Sequence, residues 1–196
     1  MNNALNEIFA DSWNKITGEG NRGGKVTRTI TVCNYAPDYI NAYTVVLREA
    51  SYTEGSLLFY TDIRSEKVAE IKRDNRLTLI TYNEEDKQQL IFKGTAFIYH
   101  QNATTQQYWN KDGFKGRRSY MAQPAPSSVI NEPVDGLEYL EGKDFDETDM
   151  QGYENFAVIK VQINLLEWLK LSRDGNRRAK FNLYKDSGWQ GQWLIP

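Results

Sequence analysis

The sequence has one cysteine, Cys33, and one histidine, His100, in 196 residues. A single cysteine excludes an intramolecular disulfide, and the two residues together are too few for a His/Cys zinc cluster, so no metal is expected. No segment approaches the roughly 20 apolar residues of a membrane helix, and the opening stretch MNNALNEIFADSWNKITGEG has no basic n-region. A marked excess of charge of either sign is missing as well. Lys and Arg number 24 against 26 for Asp and Glu, a net charge of −2 that gives no reason to expect nucleic acid or an anionic membrane as partner. The expectation is a soluble, unexported protein of a reducing, cytoplasmic compartment.

Familiar catalytic signatures are also absent. There is no Gly-x-Ser-x-Gly elbow and no dinucleotide fingerprint, and the Gly-rich TGEGNRGGK lacks the Gly-Lys-Ser/Thr ending of a phosphate loop. Cys33 stands in an apolar strand, where a buried, inert thiol is expected. The acidic run EGKDFDETD reads as solvated loop, not as two buried carboxylates facing a cleft.

What the chain does have is aromatic surface: 13% of residues, with 12 Tyr and 5 Trp, suited to sheet faces or to a flat ligand. Its length fits a single domain over residues 1–196. Leu5, Ile8, Phe9 and Trp13 recur at helical spacing within residues 4–16, and a Gly-rich connector ends near residue 25. Strand patterns follow over 26–34, 42–49 and 56–61, then a helix from about 63 to 74, then strands from 76 and from 88 to 100, the last bent at Gly94. Residues 103–121 read as interrupted helix, and 122–154, with three of the five prolines, as a long loop region. Strands return over NFAVIKVQINLLEWLKL, AKFNLYKD and WQGQWLIP. Six to eight strands with grouped helices argue for an antiparallel barrel rather than a doubly wound sheet.

One stretch carries most of the chemistry. LLFYTDIRSEKVAEI, residues 57–71, passes from an apolar strand to a helix, and Thr61, Asp62, Arg64, Ser65 and Lys67 crowd the junction. Thr61 or Asp62 capping the first turn, with Glu66 complementing the helix dipole, explains part of this. A hydroxyl and two cations at a helix start also describe a phosphate seat, and the residues alone leave both readings open.

The run TVVLREA…GSLLFYTDIRSEKVAEIKRDNRLTLITYNEEDKQQLIFKG, residues 44–94, resembles the FMN-binding core of the pyridoxamine 5′-phosphate oxidase-like family. PSSVI at 126–130 is similar to that family's Gln-Ser-Ser segment, and LEWLKL…RRAKFNLY…WLIP to its last strand pair. The resemblance implies a mainly β fold, a six-stranded antiparallel split barrel with flanking helices. It also implies a homodimer with FMN in each interfacial cleft and a small-molecule substrate. Ser65, Lys67, Arg48 and Arg64 would serve the FMN phosphate, Tyr60 and Thr61 would line the flavin, and Thr44, Val45, Val46 and Leu47 would meet it through backbone. Gln89, Ser127 and Lys180 would complete the cofactor set.

The chain departs from the family at Tyr43, often Arg, at Glu66, often a second cation, and at Pro126, which stands where the family has Gln. Near the C-terminus the family's oxidases carry an Arg-Leu-His substrate triplet, and this chain has Asn176-Arg177-Arg178. The leading expectation is therefore an FMN-dependent oxidoreductase whose catalytic residues and substrate the sequence does not name. Three alternatives stand beside it. One is a genuine pyridoxamine or pyridoxine 5′-phosphate oxidase with Arg177 and Arg178 on the substrate phosphate; another is a flavin carrier or stress-response protein without turnover. The last is a barrel that has lost the cofactor or takes another flat ligand.

Overall fold

Strand alternation puts every second side chain inside, and the structure, a computed structural model describing residues 1–18, 29–111, 114–142 and 150–196, shows that pattern closing into a barrel. Six antiparallel strands form it: β1 (Thr29–Tyr35), β2 (Ile40–Ser51), β3 (Ser56–Asp62), β4 (Arg76–Asn83), β5 (Gln88–His100) and β6 (Phe156–Lys170). Their order is β3-β2-β1-β4-β5-β6, and β3 pairs back onto β6, which closes the ring. Two more strands, β7 (Arg177–Tyr184) and β8 (Gly188–Leu194), extend the sheet from the far half of β6. The expected six-stranded barrel is therefore present, with a two-strand extension.

The interior holds Ile30 and Val32 of β1, Leu57 and Phe59 of β3, Leu77 and Leu79 of β4, Leu90 and Phe92 of β5, and Ile159, Val161, Ile163, Leu166 and Trp168 of β6. That last series changes phase: odd positions point inward up to Ile163, even ones from Leu166. The register explains it, because Lys93 faces Leu165 while Gly94 faces Ile163, leaving Asn164 as an extra residue in β6. The bend expected at Gly94 is thus a bulge whose extra residue belongs to the partner strand. Gly94 is needed there because a Cβ would lie 2.2 Å from the Gln162 carbonyl oxygen. A second bulge inserts Arg48 into β2, between Leu47 opposite Phe59 and Glu49 opposite Leu58.

α1 (Asn3–Thr17) is capped by the Asn2 side chain, which accepts from the Leu5 amide at 3.0 Å, and ends at Gly18 with φ 78°. Its Leu5, Phe9, Trp13 and Ile16 join the barrel core, with Phe9 packing on Phe181 and Trp189, and Trp13 on Phe92. α3 (Ala103–Lys111) and the 3-10 turn Arg118–Met121 cover the outside of β3 and β6 through a second cluster of Leu58, Trp109, Tyr120, Phe156 and Val158. Apart from Thr17 and Gly18, the expected Gly-rich loop lies outside the described residues, as do the first residues of the expected strand 26–34 and most of the acidic run after Gly142.

Cys33 is half-buried on the outer face, not in the core, because the alternation of β1 sends Ile30, Val32 and Asn34 inward. His100 Nε2 lies 2.7 Å from the Glu154 carbonyl. Among the described residues no helix is long and apolar enough to cross a membrane, and no cluster of His, Cys, Asp or Glu could hold a metal ion.

Candidate functional site

β2 pairs with β3 only over Leu47–Ser51; among the described residues, 40–46 pair with β1 alone, so their main chain has no strand partner there on the β3 side. The barrel is split there. A cleft of about 240 Å³ opens at the split, lined by residues 43–46 and Arg48 of β2, Tyr60 and Thr61 of β3, Lys67 and Tyr120. Consecutive residues of both orientations share the lining, as expected where the strand's own backbone forms the wall.

Lys67 comes from α2 (Glu66–Arg73), whose N-cap is Ser65. The helix starts later than the expected residue 63, and neither Thr61 nor Asp62 caps it. The Asp62 carbonyl accepts from the Ser65 amide at 3.1 Å in a turn, while its carboxylate takes the Arg64 amide at 2.8 Å and the Arg64 guanidinium at 2.9 and 2.6 Å. Arg64 also donates to the Ala122 carbonyl at 3.0 Å, so its guanidinium is directed to the 122–137 loop and not into the cleft. Ser65 is buried, with its hydroxyl donating to the Asp62 carbonyl at 2.8 Å and lying 3.3 Å from the Thr61 hydroxyl.

Lys67 is different. It has no ion-pair partner among the described residues, and its Nζ lies 4.9 Å from the centroid of the Tyr43 ring. Burial lowers its pKa, and the more distant charges of Asp62, Glu70 and Glu66 offset this only in part. A desolvated cation facing a cleft without a carboxylate on it favours an incoming anion. Arg48 adds a second cation, 4.9 Å over the Tyr60 ring. The β2 bulge turns Arg48 and Glu49 to the same outer side, and Glu49 accepts from the Tyr108 hydroxyl at 3.1 Å beside the Tyr60–Tyr108 ring contact. Burial, then Glu49, pushes the Tyr108 phenol up to about 12.

The structure thus brings Thr44, Val45, Val46, Arg48, Tyr60, Thr61 and Lys67 to one cleft. Leu47 packs on the barrel core instead. Gln89 and Lys180 lie on the outer sheet face, away from the cleft in sheet order, and Ser127, with φ 67°, lines a separate cavity of about 260 Å³ in the 122–137 loop. Arg177 and Arg178 alternate on β7. Arg178 bonds Glu167 at 2.6 Å on the outer face, while Arg177 sits 5.7 Å over Trp168, so the two are not directed at one phosphate. Two cleft residues were not expected from the sequence. Tyr43 registered only as a departure, and Tyr120 arrives from a segment 60 residues downstream of Tyr60 that gives no local signal.

An antiparallel barrel split beside a helix start, with the cations Lys67 and Arg48 lining the split, defines the split-barrel class of fold. Residues 22–100 match the family model described as pyridoxamine 5′-phosphate oxidase, FMN-binding domain. Among solved structures the chain is similar to a pyridoxamine 5′-phosphate oxidase-related, FMN-binding protein of Nostoc punctiforme, at 16% identity and TM-score 0.76 with all of both chains covered. It is also similar to PhzG of Burkholderia lata in complex with tetrahydrophenazine-1-carboxylic acid, at 15% identity and TM-score 0.70, covering 98% of this chain and 91% of that one. A third likeness, to a Clostridium acetobutylicum protein related to general stress protein 26, has 13% identity and TM-score 0.51 over 78% and 84% of the two chains. No curated protein matches the chain. The resemblance read from residues 44–94 is borne out: the segment carries the FMN-binding-domain pattern of the pyridoxamine 5′-phosphate oxidase-like family, and the whole chain has that family's split-barrel fold.

Proposed function

We propose that the cleft is an FMN site and that the protein is an FMN-dependent oxidoreductase acting on a small molecule as yet unidentified. The observation that carries this reading is Lys67, a desolvated ammonium without an ion-pair partner among the described residues, lining a cleft inside the segment that matches the FMN-binding model. The donor set fits the cofactor. Lys67 and Arg48 suit its phosphate, the Thr61 hydroxyl and the main chain of residues 43–46 on the side turned away from β1 suit its polar edges, and Tyr60 offers an aromatic wall. Bound FMN supplies hydride and electron transfer. The chain's own residues bind it, orient it and keep water from the buried end of the cleft.

We further propose that the working unit is a homodimer. One cross-strand row, Thr44–Thr31–Ile80–Ile91–Glu167–Lys180–Gln192, runs over the whole outer face from the cleft strand to β8. Ile40, Val46, Tyr35 and Tyr82 stand exposed on that face. A second copy packed on it covers these side chains and supplies Gln89 and Lys180 to a cleft that a single chain leaves without them. Titration of the purified protein with FMN, followed by flavin fluorescence and absorbance, tests the reading. About one FMN per chain is expected, and a protein that takes up none overturns it.

A further inference from the structure

The carboxylates nearest Lys67 are engaged elsewhere or lie only in its wider field. Asp62 on β3 holds Arg64, and Glu70, on the same helix as Lys67, accepts from the amides of Asn34 at 2.8 Å and Asn41 at 3.1 Å. Glu66 is exposed at the start of the helix. The other groups around the ammonium are the Tyr43 ring on β2, Arg48 across the cleft, Tyr60, Thr61 and Tyr120. Tyr43 is itself fixed. Its side chain points inward from β2 against the barrel core, and its hydroxyl is enclosed with no hydrogen-bond partner among the described residues. Burial, and then the charge of Glu70, pushes that phenol above its ordinary range, so it remains a neutral ring under a cation.

We propose that Tyr43 is the positioning residue of the anion site. Its ring face holds the Lys67 ammonium by a cation–π contact, in the role a carboxylate would otherwise take, so that the cation is both kept charged and left free for the ligand. A carboxylate in this place would neutralise Lys67 and repel a phosphate; an arginine would hold the phosphate directly but repel Lys67. An aromatic ring attracts the cation without competing for it. The proposal rests on the FMN reading for its ligand, but not for its geometry.

FMN titrations of the full-length protein test it with Tyr43→Phe, Tyr43→Leu, Lys67→Met and the double variant Tyr43→Leu/Lys67→Met. Tyr43→Phe keeps the ring and is expected to bind within about twofold of the unmodified protein. Tyr43→Leu is expected to bind roughly threefold to thirtyfold more weakly. In the Lys67→Met background the same change is expected to add nothing, because the two residues act as one unit. A Tyr43→Leu effect that persists in that background overturns the proposal, since Tyr43 would then act by packing or by touching the flavin itself. Should Tyr43→Leu not fold, Tyr43→Met replaces it.

A second readout needs no flavin. In ¹³C NMR of the reductively methylated protein, the Lys67 resonance, assigned by its loss in Lys67→Arg, is expected to titrate at lower pH in Tyr43→Leu than in either the unmodified protein or Tyr43→Phe. An unchanged or higher titration point overturns the proposal. If the unmodified protein binds no FMN, the cofactor reading fails while this titration still decides on Tyr43.

Discussion

The Arg178 guanidinium donates to the Glu167 carboxylate at 2.6 Å, across the β6–β7 pairing, and so points away from its neighbour Arg177. A phosphorylated pyridine would need both cations on one side, and strand alternation separates them. Oxidation of pyridoxine or pyridoxamine 5′-phosphate is therefore expected to be absent or far below that of a dedicated oxidase, because loss of one positioned group costs on the order of 10²-fold or more in rate. Steady-state assays with both phosphates under air check it, and efficient turnover would show that Arg177 and Arg178 are redirected when substrate binds.

Glu167 gives a prediction for stability. Burial raises its carboxyl pKa, but the hydrogen bond from Arg178 and the charge of Lys93, 3.4 Å away, outweigh this and leave it below the usual range. A depressed native pKa stabilises the fold above the unfolded value of about 4.3 and is lost as pH falls through the native one. Glu167→Gln should cost about 1–2 kcal/mol at pH 7, with the difference from the unmodified protein shrinking below about pH 4. Urea unfolding at both pH values measures it, and a difference that does not depend on pH would count against the pairing.

Lys67→Ala should weaken FMN binding by about 1.5–3 kcal/mol, the range for hydrogen bonds to charged groups. Glu66→Ala should leave binding unchanged or strengthen it slightly, since it removes a negative charge from the same helix start. Equal losses in the two variants would mean that helix stability, not ligation, is being measured.

Ile91 sits near the middle of the outer sheet face, opposite Ile80 and Glu167 and away from the cleft lining. If two copies meet there, light scattering of the unmodified protein gives twice the 22.7 kDa chain mass. Ile91→Lys shifts it to one and weakens FMN uptake with it. A stable monomer that binds FMN fully would refute the shared cleft.

Gly94→Ala should disrupt the barrel. The new Cβ would lie 2.2 Å from the oxygen and 2.9 Å from the carbon of the Gln162 carbonyl, both backbone atoms that cannot rotate away. A loss of about 3 kcal/mol or more, at or beyond the usual range for overpacking, is expected in thermal or urea unfolding. A near-neutral result would mean that β5 and β6 separate easily at this point.

The strand alternation of β5 and the helical spacing of Leu5, Phe9 and Trp13 were legible because each follows a single period that burial enforces. The α2 start was less so. Asp62 has the side chain of a cap, but it is drawn to Arg64 two residues on, and local sequence cannot rank those two uses. LLEWLKL conceals its orientation, since apolar residues fall on both phases and only the pairing with β5 reveals which are inside. Lys67 and Arg48 could be named because the family spacing marks them. Tyr120 could not, because its place in the cleft depends on how α3 and the following turn pack against β6. Tyr43 could be seen to differ, but its use required knowing that Lys67 lies over its ring.

The extra residue Asn164 sets the parity of everything after it in β6. Deleting it would leave the composition of the strand almost unchanged, yet it would turn Leu165, Glu167 and Leu169 inward and Leu166 and Trp168 outward. β7 and β8, paired beyond that point, would then meet a sheet presenting its opposite side. The barrel and its two-strand extension are thus joined by a count of residues as much as by contacts. An insertion or deletion between Ile163 and Leu165 should be far less tolerated than substitution of the exposed asparagine itself.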